Sequence, residues 1–168
     1  MNASKIDLSF IIPAYNEEKN ISKTLEMIRK HVPSNLTYEV IVMNHASSDN
    51  TAFLAKESGA KVVSLEGGTV ANLRNNGADK ALGTIFIFLD ADIRLTQEWG
   101  KNINAIIEKL NSGKRMLTGS WVSISENENW IEKYWFEPQQ KKSNTHINSG
   151  HMIIGRDQFY LLGGFNGD

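Results

Sequence analysis

Asp90 and Asp92 close an uninterrupted apolar run, Ile85-Phe86-Ile87-Phe88-Leu89, with Ala91 between them. A run of this kind reads as a strand buried on both faces, as in parallel sheets. Ligands of open α/β sheets gather just outside the carboxyl ends of such strands, which is where both carboxylates stand. If the extended geometry continues, residues i and i+2 point to the same side. Two carboxylates about 6–7 Å apart then repel by about 2.5 kcal/mol at an effective dielectric of about 20. A hard cation relieves that repulsion: Mg²⁺ and Mn²⁺ take oxygen ligands, often one or two carboxylates plus substrate phosphates. The alternative is a solvated Asp-Ala-Asp turn that starts a polar loop.

The elements that must position these carboxylates are legible upstream. Leu8-Ser9-Phe10-Ile11-Ile12 reads as a first strand stopped by Pro13. The polar stretch Ala14-Tyr15-Asn16-Glu17-Glu18 opens a helix to about His31, with Ile21, Leu25 and Ile28 at i, i+4, i+7 and Pro33 beyond its end. Residues 38–43 form a second strand, followed by the turn Asn44-His45-Ala46-Ser47-Ser48-Asp49, where either serine can cap the next helix. Gly59 ends that helix, residues 61–65 form a third strand, and Gly67-Gly68-Thr69 precedes a small-residue helix closed by Gly83. Strand and helix alternating at this spacing imply right-handed crossovers and a mostly parallel sheet flanked by helices, an α/β fold. After the aspartates, Thr96 caps a helix through Leu110, residues 116–122 form a strand, and residues 149–154 and 156–162 form a strand and a short helix.

Composition narrows the function. The 168 residues suffice for one domain with a real core, 40% are hydrophobic and 22% charged, as in an ordinary globular protein. Eighteen Lys and Arg against nineteen Asp and Glu leave a net charge of −1, which argues against a nucleic-acid partner held by bulk charge. With no cysteine there is no disulfide, thiolate metal site or Cys nucleophile. No apolar run has the length to cross a bilayer, so the expectation is a cytoplasmic protein. His146 and His151 lack the spacing of a zinc site. Trp130, Tyr134, Trp135 and Phe136 fit one helix face packed on the sheet or on a second copy in a homodimer, or else a sugar-stacking or membrane-surface wall.

Five segments in order resemble the GT-A glycosyltransferases of family 2, which move a sugar from a nucleotide donor with inversion. They are Pro13-Ala14-Tyr15-Asn16-Glu17-Glu18 after the first strand, Ser47-Ser48-Asp49-Asn50-Thr51, Arg74-Asn75-Asn76-Gly77, Asp90-Ala91-Asp92 as the DxD motif, and Gly163-Gly164-Phe165-Asn166. The resemblance implies a Rossmann-like GT-A domain over residues 1–168. Residues 1–95 would be its nucleotide-sugar-binding half and residues 96–168 the start of an acceptor-side half that continues beyond the chain. It also implies a UDP-, GDP- or TDP-type donor, an acceptor of unspecified class, and a Mg²⁺ or Mn²⁺ cofactor on Asp92 and Asp90. Pro13, Ala14, Tyr15, Glu17, Asn44, His45, Ser47, Arg74, Asp90 and Ala91 would line the donor site, with Tyr15 offering stacking area and Arg74 a fork for phosphate.

Two positions depart from the family pattern. Asn44 and His45 stand where the family usually carries an aspartate at the end of the second strand, which removes charge-assisted bonds to the donor. The acidic general base usually follows the Gly-Gly-Phe loop, and only Asp168 is present there. Both departures motivate a rival reading, a catalytically incomplete nucleotide-sugar-binding remnant. A haloacid-dehalogenase-type phosphatase would carry its Asp-x-Asp near the N-terminus. A sugar nucleotidyltransferase would carry a glycine-rich, Arg-containing loop after the first strand, which Pro13-Ala14-Tyr15-Asn16-Glu17 does not supply.

Overall fold

The computed structural model describes residues 6–113, 117–118 and 150–167. The continuous apolar runs of the sequence become strands buried on both faces. β1 (Leu8–Ala14), β2 (Tyr38–Asn44), β3 (Lys61–Ser64) and β4 (Ile85–Leu89) are parallel, joined through helical crossovers. β6 (His151–Gly155) runs antiparallel to β4, and β5 (Leu117–Thr118) antiparallel to β6. Among the described residues the six strands stand in the order β3-β2-β1-β4-β6-β5, with β1 and β4 at the centre. The expected α/β architecture with a mostly parallel sheet is therefore what forms.

Alternation along each strand splits the core in two. Leu8, Phe10 and Ile12 of β1 and Ile85, Ile87 and Leu89 of β4 pack with helices α1 (Ile21–His31) and α4 (Gln97–Asn111) through Ile21, Leu25, Ile28, Trp99 and Ile103, with Ala55 of α2 (Thr51–Glu57) alongside. Ile11, Phe86 and Phe88 point to the other face, against Leu73 and Ala78 of α3 (Val70–Asp79) and Phe159 of α5 (Arg156–Leu161). Thr96 caps α4 as its sequence signals, its hydroxyl accepting the Trp99 N–H at 3.2 Å. Among the described residues no helix is long and apolar enough to cross a membrane.

Three local expectations are revised. Pro13 does not stop the first strand, which pairs with β2 through Ala14↔Asn44. The Ala14 carbonyl accepts the His45 N–H, so Pro13 faces the β4 side, where pairing has already ended at Ile11↔Phe88 and no ladder donor is needed. The first helix starts at Ile21 rather than near Ala14, because the backbone of residues 16–18 is bonded elsewhere. Finally, α3 ends at Asp79, short of Gly83, whose N–H instead reaches the Ser9 hydroxyl at 2.8 Å.

Gly100 fixes how α4 meets α1. A Cβ at this position would collide with the His31 carbonyl oxygen, a backbone atom at the end of α1 that cannot swing aside. Gly100→Ala must push the two helices apart and loosen the packing around Trp99 and Ile103. We expect a loss of about 1–3 kcal/mol, read as a lower urea midpoint with an unchanged slope.

Candidate functional site at the carboxyl edge of the sheet

The four parallel strands end at one edge, and the chain segments leaving β1, β2 and β4 meet there. β4 stops at Leu89, and the chain turns at once: the Ile93 N–H donates to the Asp90 carbonyl at 3.1 Å. The extended geometry that would set Asp90 and Asp92 side by side on one face thus does not persist. Of the two carboxylates, Asp90 alone makes an ion pair among the described residues. Arg74 Nη2 donates to Asp90 Oδ1 at 2.7 Å, with the Arg74 side chain 8% exposed and that of Asp90 40%. Asp92 is exposed and lies in the field of Arg94, whose guanidinium burial pushes down in pKa while Asp92 and Glu17 hold it up.

The turn itself is anchored from α1. Thr24 is fully buried, and its hydroxyl donates to the Ala91 carbonyl and accepts from Arg94 Nη1. Arg94 Nη2 donates to Asn20 Oδ1 at 2.9 Å. Ala91, 3% exposed, packs inward at this point and presents no side chain to solvent.

The loops after β1 and β2 are clasped to each other by short polar side chains. The N–H groups of Asn16, Glu17 and Glu18 donate to Ser47 Oγ (3.0 Å), Thr51 Oγ1 (2.7 Å) and Asp49 Oδ2 (3.1 Å). In return the Ser48 N–H donates to Asn16 Oδ1 at 2.9 Å and the Asn50 N–H to Glu18 Oε2 at 3.2 Å. The serines therefore bind the neighbouring loop instead of capping α2, whose N-cap residue, Asn50, makes no side-chain cap bond. Asn16 and Ala46 both sit at positive φ, 53° and 48°. Asparagine tolerates that conformation, whereas for alanine it costs about 1–2 kcal/mol.

Tyr15, 61% exposed, lies against His45 with ring centroids 5.9 Å apart. The two rings form the outer rim of the edge. Asn44 is not on that rim: it is 5% exposed, its Nδ2 donates to Ser64 Oγ at 3.3 Å, and its Oδ1 has no hydrogen-bond partner among the described residues. Pro13, Ala14, Glu17 and Ser47 lie within or beside the clasp, and Arg74 contacts the carboxylate. The geometry thus gathers Tyr15, His45, Ser47, Arg74, Asp90 and Asp92 at one edge, with Asn44 beneath. Asp168, the candidate base, and the aromatic group at 130–136 lie outside the described residues.

Several contributors were not assigned from sequence. Thr24, Asn20 and Arg94 set the Asp90–Asp92 turn, and Asn75 holds the backbone of Phe165. The available signal was Arg94, four residues after Asp90; nothing in the spacing of Asn20 or Thr24 points to a strand seventy residues away.

The aspartates suit a hard divalent cation by donor type. Both are carboxylates at a solvent-facing edge, and only one Asp90 oxygen is engaged by Arg74. Among the described residues no cluster of three or more acidic, His or Cys side chains adds to them. That is the composition Mg²⁺ and Mn²⁺ accept when substrate phosphates and water complete the shell.

A mostly parallel sheet continued by an antiparallel strand, with two carboxylates at its carboxyl edge, is the architecture of GT-A-type folds. The mannosyltransferase PcManGT from Pyrobaculum calidifontis, solved with GDP-Man and Mn²⁺, superposes with a TM-score of 0.71 at 20% identity, covering 96% of this chain and 48% of that one. S. aureus TarS 1-349 in complex with UDP superposes with a TM-score of 0.68 at 22% identity, covering 96% and 51%. The profile of glycosyl transferase family 2 matches residues 9–161. Glycosyltransferase AglE of Haloferax volcanii is 34% identical over 124 residues, 70% of this chain and 37% of the relative. The chain belongs to glycosyl transferase family 2, and it spans about half or less of the length of these relatives.

Asp49 makes the loop clasp sensitive to acid. Burial raises its pKa, but bonds from the Thr51 hydroxyl and from the N–H groups of Thr51, Glu18 and Asp49 itself outweigh this and hold it below the usual value. A carboxyl depressed in the folded state stabilises fully above its unfolded value, and the effect disappears as pH falls through the folded one. The stability difference between the wild type and Asp49→Asn should therefore be constant above about pH 4 to 5 and shrink below it. Urea titrations of both proteins between pH 7 and pH 2.5 measure this.

Proposed function

We propose that this chain is the donor-binding part of an inverting, divalent-metal-dependent glycosyltransferase that uses a nucleoside-diphosphate sugar. The observation that carries the reading is the meeting of Asp90, Asp92 and Arg74 with the clasped Tyr15 and His45 loops at one sheet edge. In this reading residues 1–95 supply the donor half and residues 96–168 begin the acceptor half. A cytoplasmic site, with an acceptor at the inner face of a membrane, goes with it.

The chemistry asks for charge neutralisation. As the sugar–phosphate bond breaks, negative charge grows on the leaving nucleoside diphosphate. A Mg²⁺ or Mn²⁺ held by Asp92 and Asp90 would supply Lewis acidity there. The chain's own residues do the rest of the binding. Tyr15 and His45 present ring faces for a nucleobase, and the backbone of residues 14–17, fixed by Ser47, Thr51 and Asp49, keeps those rings in place. Arg74 is already charge-paired at the edge, and its fork suits a phosphate oxygen brought beside Asp90. Among the structural relatives, PcManGT was solved with the nucleotide sugar GDP-Man and TarS with the nucleotide UDP. Asn44 and His45 stand in place of the family's acid and leave a buried amide oxygen without a partner among the described residues, which bears on donor affinity. The rival reading of binding without turnover rests on the acid expected after the Gly-Gly-Phe loop.

Calorimetric titration of UDP, GDP and TDP with and without Mn²⁺ tests the proposal. One nucleotide should bind in a metal-dependent way, and Asp92→Ala should weaken it by about tenfold or more. Binding of none of them by folded protein would sink the donor-site reading. Metal-dependent binding without hydrolysis or transfer of the matching nucleotide sugar would favour the incomplete binder.

A further inference from the structure

The side chains of Arg74 and Asn75, neighbours on α3, reach two parts of the chain that are far apart in sequence. Arg74 pairs with Asp90, as described. Asn75 grips Phe165 at both ends of its backbone: Nδ2 donates to the Phe165 carbonyl and Oδ1 accepts the Phe165 N–H, each at 2.9 Å. The loop is shaped for this grip. Gly163 and Gly164 sit at φ 83° and 75°, and a Cβ on Gly164 would stand 2.8 Å from Asn75 Oδ1. Loop and amide are in direct contact, leaving no space for a side chain.

The grip delivers the Phe165 ring to a defined place. It meets Phe88 of β4 edge-on, centroids 4.8 Å apart, and the Arg74 guanidinium lies 5.4 Å from its centroid. Arg74 is 7% exposed and its Nε is buried without a partner, so it cannot turn to water for compensation. Its charge is satisfied from two directions, the Asp90 carboxylate and the Phe165 ring face. Moving either one changes the position that the other favours.

We propose that Asn75 is a positioning residue, and that through Phe165 and Arg74 it couples the Asp90 carboxylate to the loop at residues 163–167. The geometry stands on its own; its consequence for donor binding rests on the reading under "Proposed function". Engagement of Asp90 by a cation or a donor hydroxyl changes what Arg74 pairs with, and the loop responds. By linkage, fixing the loop sharpens the Asp90 side to the same extent.

Hydrogen exchange of a peptide covering residues 163–167, on protein without nucleotide, tests the coupling. Asn75→Ala removes both bonds to Phe165 and should speed exchange there by about fivefold or more, the factor that even one of them is worth. Asp90→Asn, which alters no loop residue, should speed it by about threefold, since an ion pair becomes a bond from a cation to a neutral amide. Phe165→Leu keeps the backbone grip but removes the ring, and should abolish the Asp90→Asn effect. Exchange in β1 and β2 should not change in any variant, which separates positioning from general loosening. If Asp90→Asn leaves residues 163–167 unaltered, or speeds exchange across the whole sheet equally, the inference is overturned.

Titration then reads the functional half. Asn75→Ala should weaken Mn²⁺-dependent nucleotide binding about fivefold and leave metal-free binding alone; an equal loss in both overturns the coupling to the metal side. A wild type that binds no nucleotide overturns the donor-site reading, and with it this functional half, whatever the exchange arm gives.

Discussion

A guanidinium enclosed in a protein must be met by a compensating charge, and at this sheet edge Asp90 supplies it. Arg74 is almost wholly buried on α3, and its 2.7 Å contact with Asp90 ties the end of β4 to the helix covering that face. Exposed ion pairs are worth about 0–1 kcal/mol, and breaking a buried one costs about 3–5 kcal/mol. This pair stands between those limits, because the carboxylate is half open to solvent while the guanidinium is not. What the pair governs is location: with Oδ1 taken by Arg74, the rest of the Asp90 carboxylate is the part left to a ligand. Asp92, turned away after the strand ends, is the freer of the two acids.

The other half of the edge depends on a different device. Loops leaving a sheet carry backbone N–H groups with no ladder partner, and each must find an acceptor. Here the loops after β1 and β2 satisfy one another, through Ser47, Thr51 and Asp49 on one side and Asn16 and Glu18 on the other. Reciprocal bonding over-determines both backbones. That is the condition under which a non-glycine residue such as Ala46 can be held at φ 48°. The result is a preformed platform beneath Tyr15 and His45, which a flexible pair of loops could not offer.

Much of the fold was readable because its signals are local. The buried runs at Phe10-Ile11-Ile12 and residues 85–89, the i, i+4, i+7 pattern of α1 and the Thr96 cap all depend on neighbours within a turn or a strand. The readings that failed were those decided by distant partners. Pro13 reads as a strand stop, yet it lies where no ladder donor is required. The polar stretch at residues 14–18 reads as the opening of a helix, yet its N–H groups belong to a loop thirty residues away. Ser47 and Ser48 read as helix caps for the same reason. At the site, the aspartates and Arg74 were visible as residue types, but their pairing was not, since i, i+2 spacing predicts adjacency and only the turn after Leu89 separates them. Thr24 and Asn20 carry no signal in the sequence, because a lone polar residue on a helix reads as solvated until its partner is known. Asn75 is visible only within the Arg74-Asn75-Asn76-Gly77 element, with no sign of its bonds to Phe165.

The two faces of the sheet therefore contribute to the edge in different ways. From the α1 side, Thr24 and Arg94 hold the backbone of the turn through Ala91 and leave the carboxylates to face outward. From the α3 side, Arg74 holds a carboxylate directly and touches the ring of a loop that arrives after β6. The first arrangement fixes where the turn is; the second makes the charge state of Asp90 matter to a segment some seventy residues further along. A site whose backbone is pinned from one face and whose charge is balanced from the other can change its electrostatics without losing its shape. Under the proposed function, that combination suits an edge where a cation and a diphosphate come and go while the strands beneath stay still.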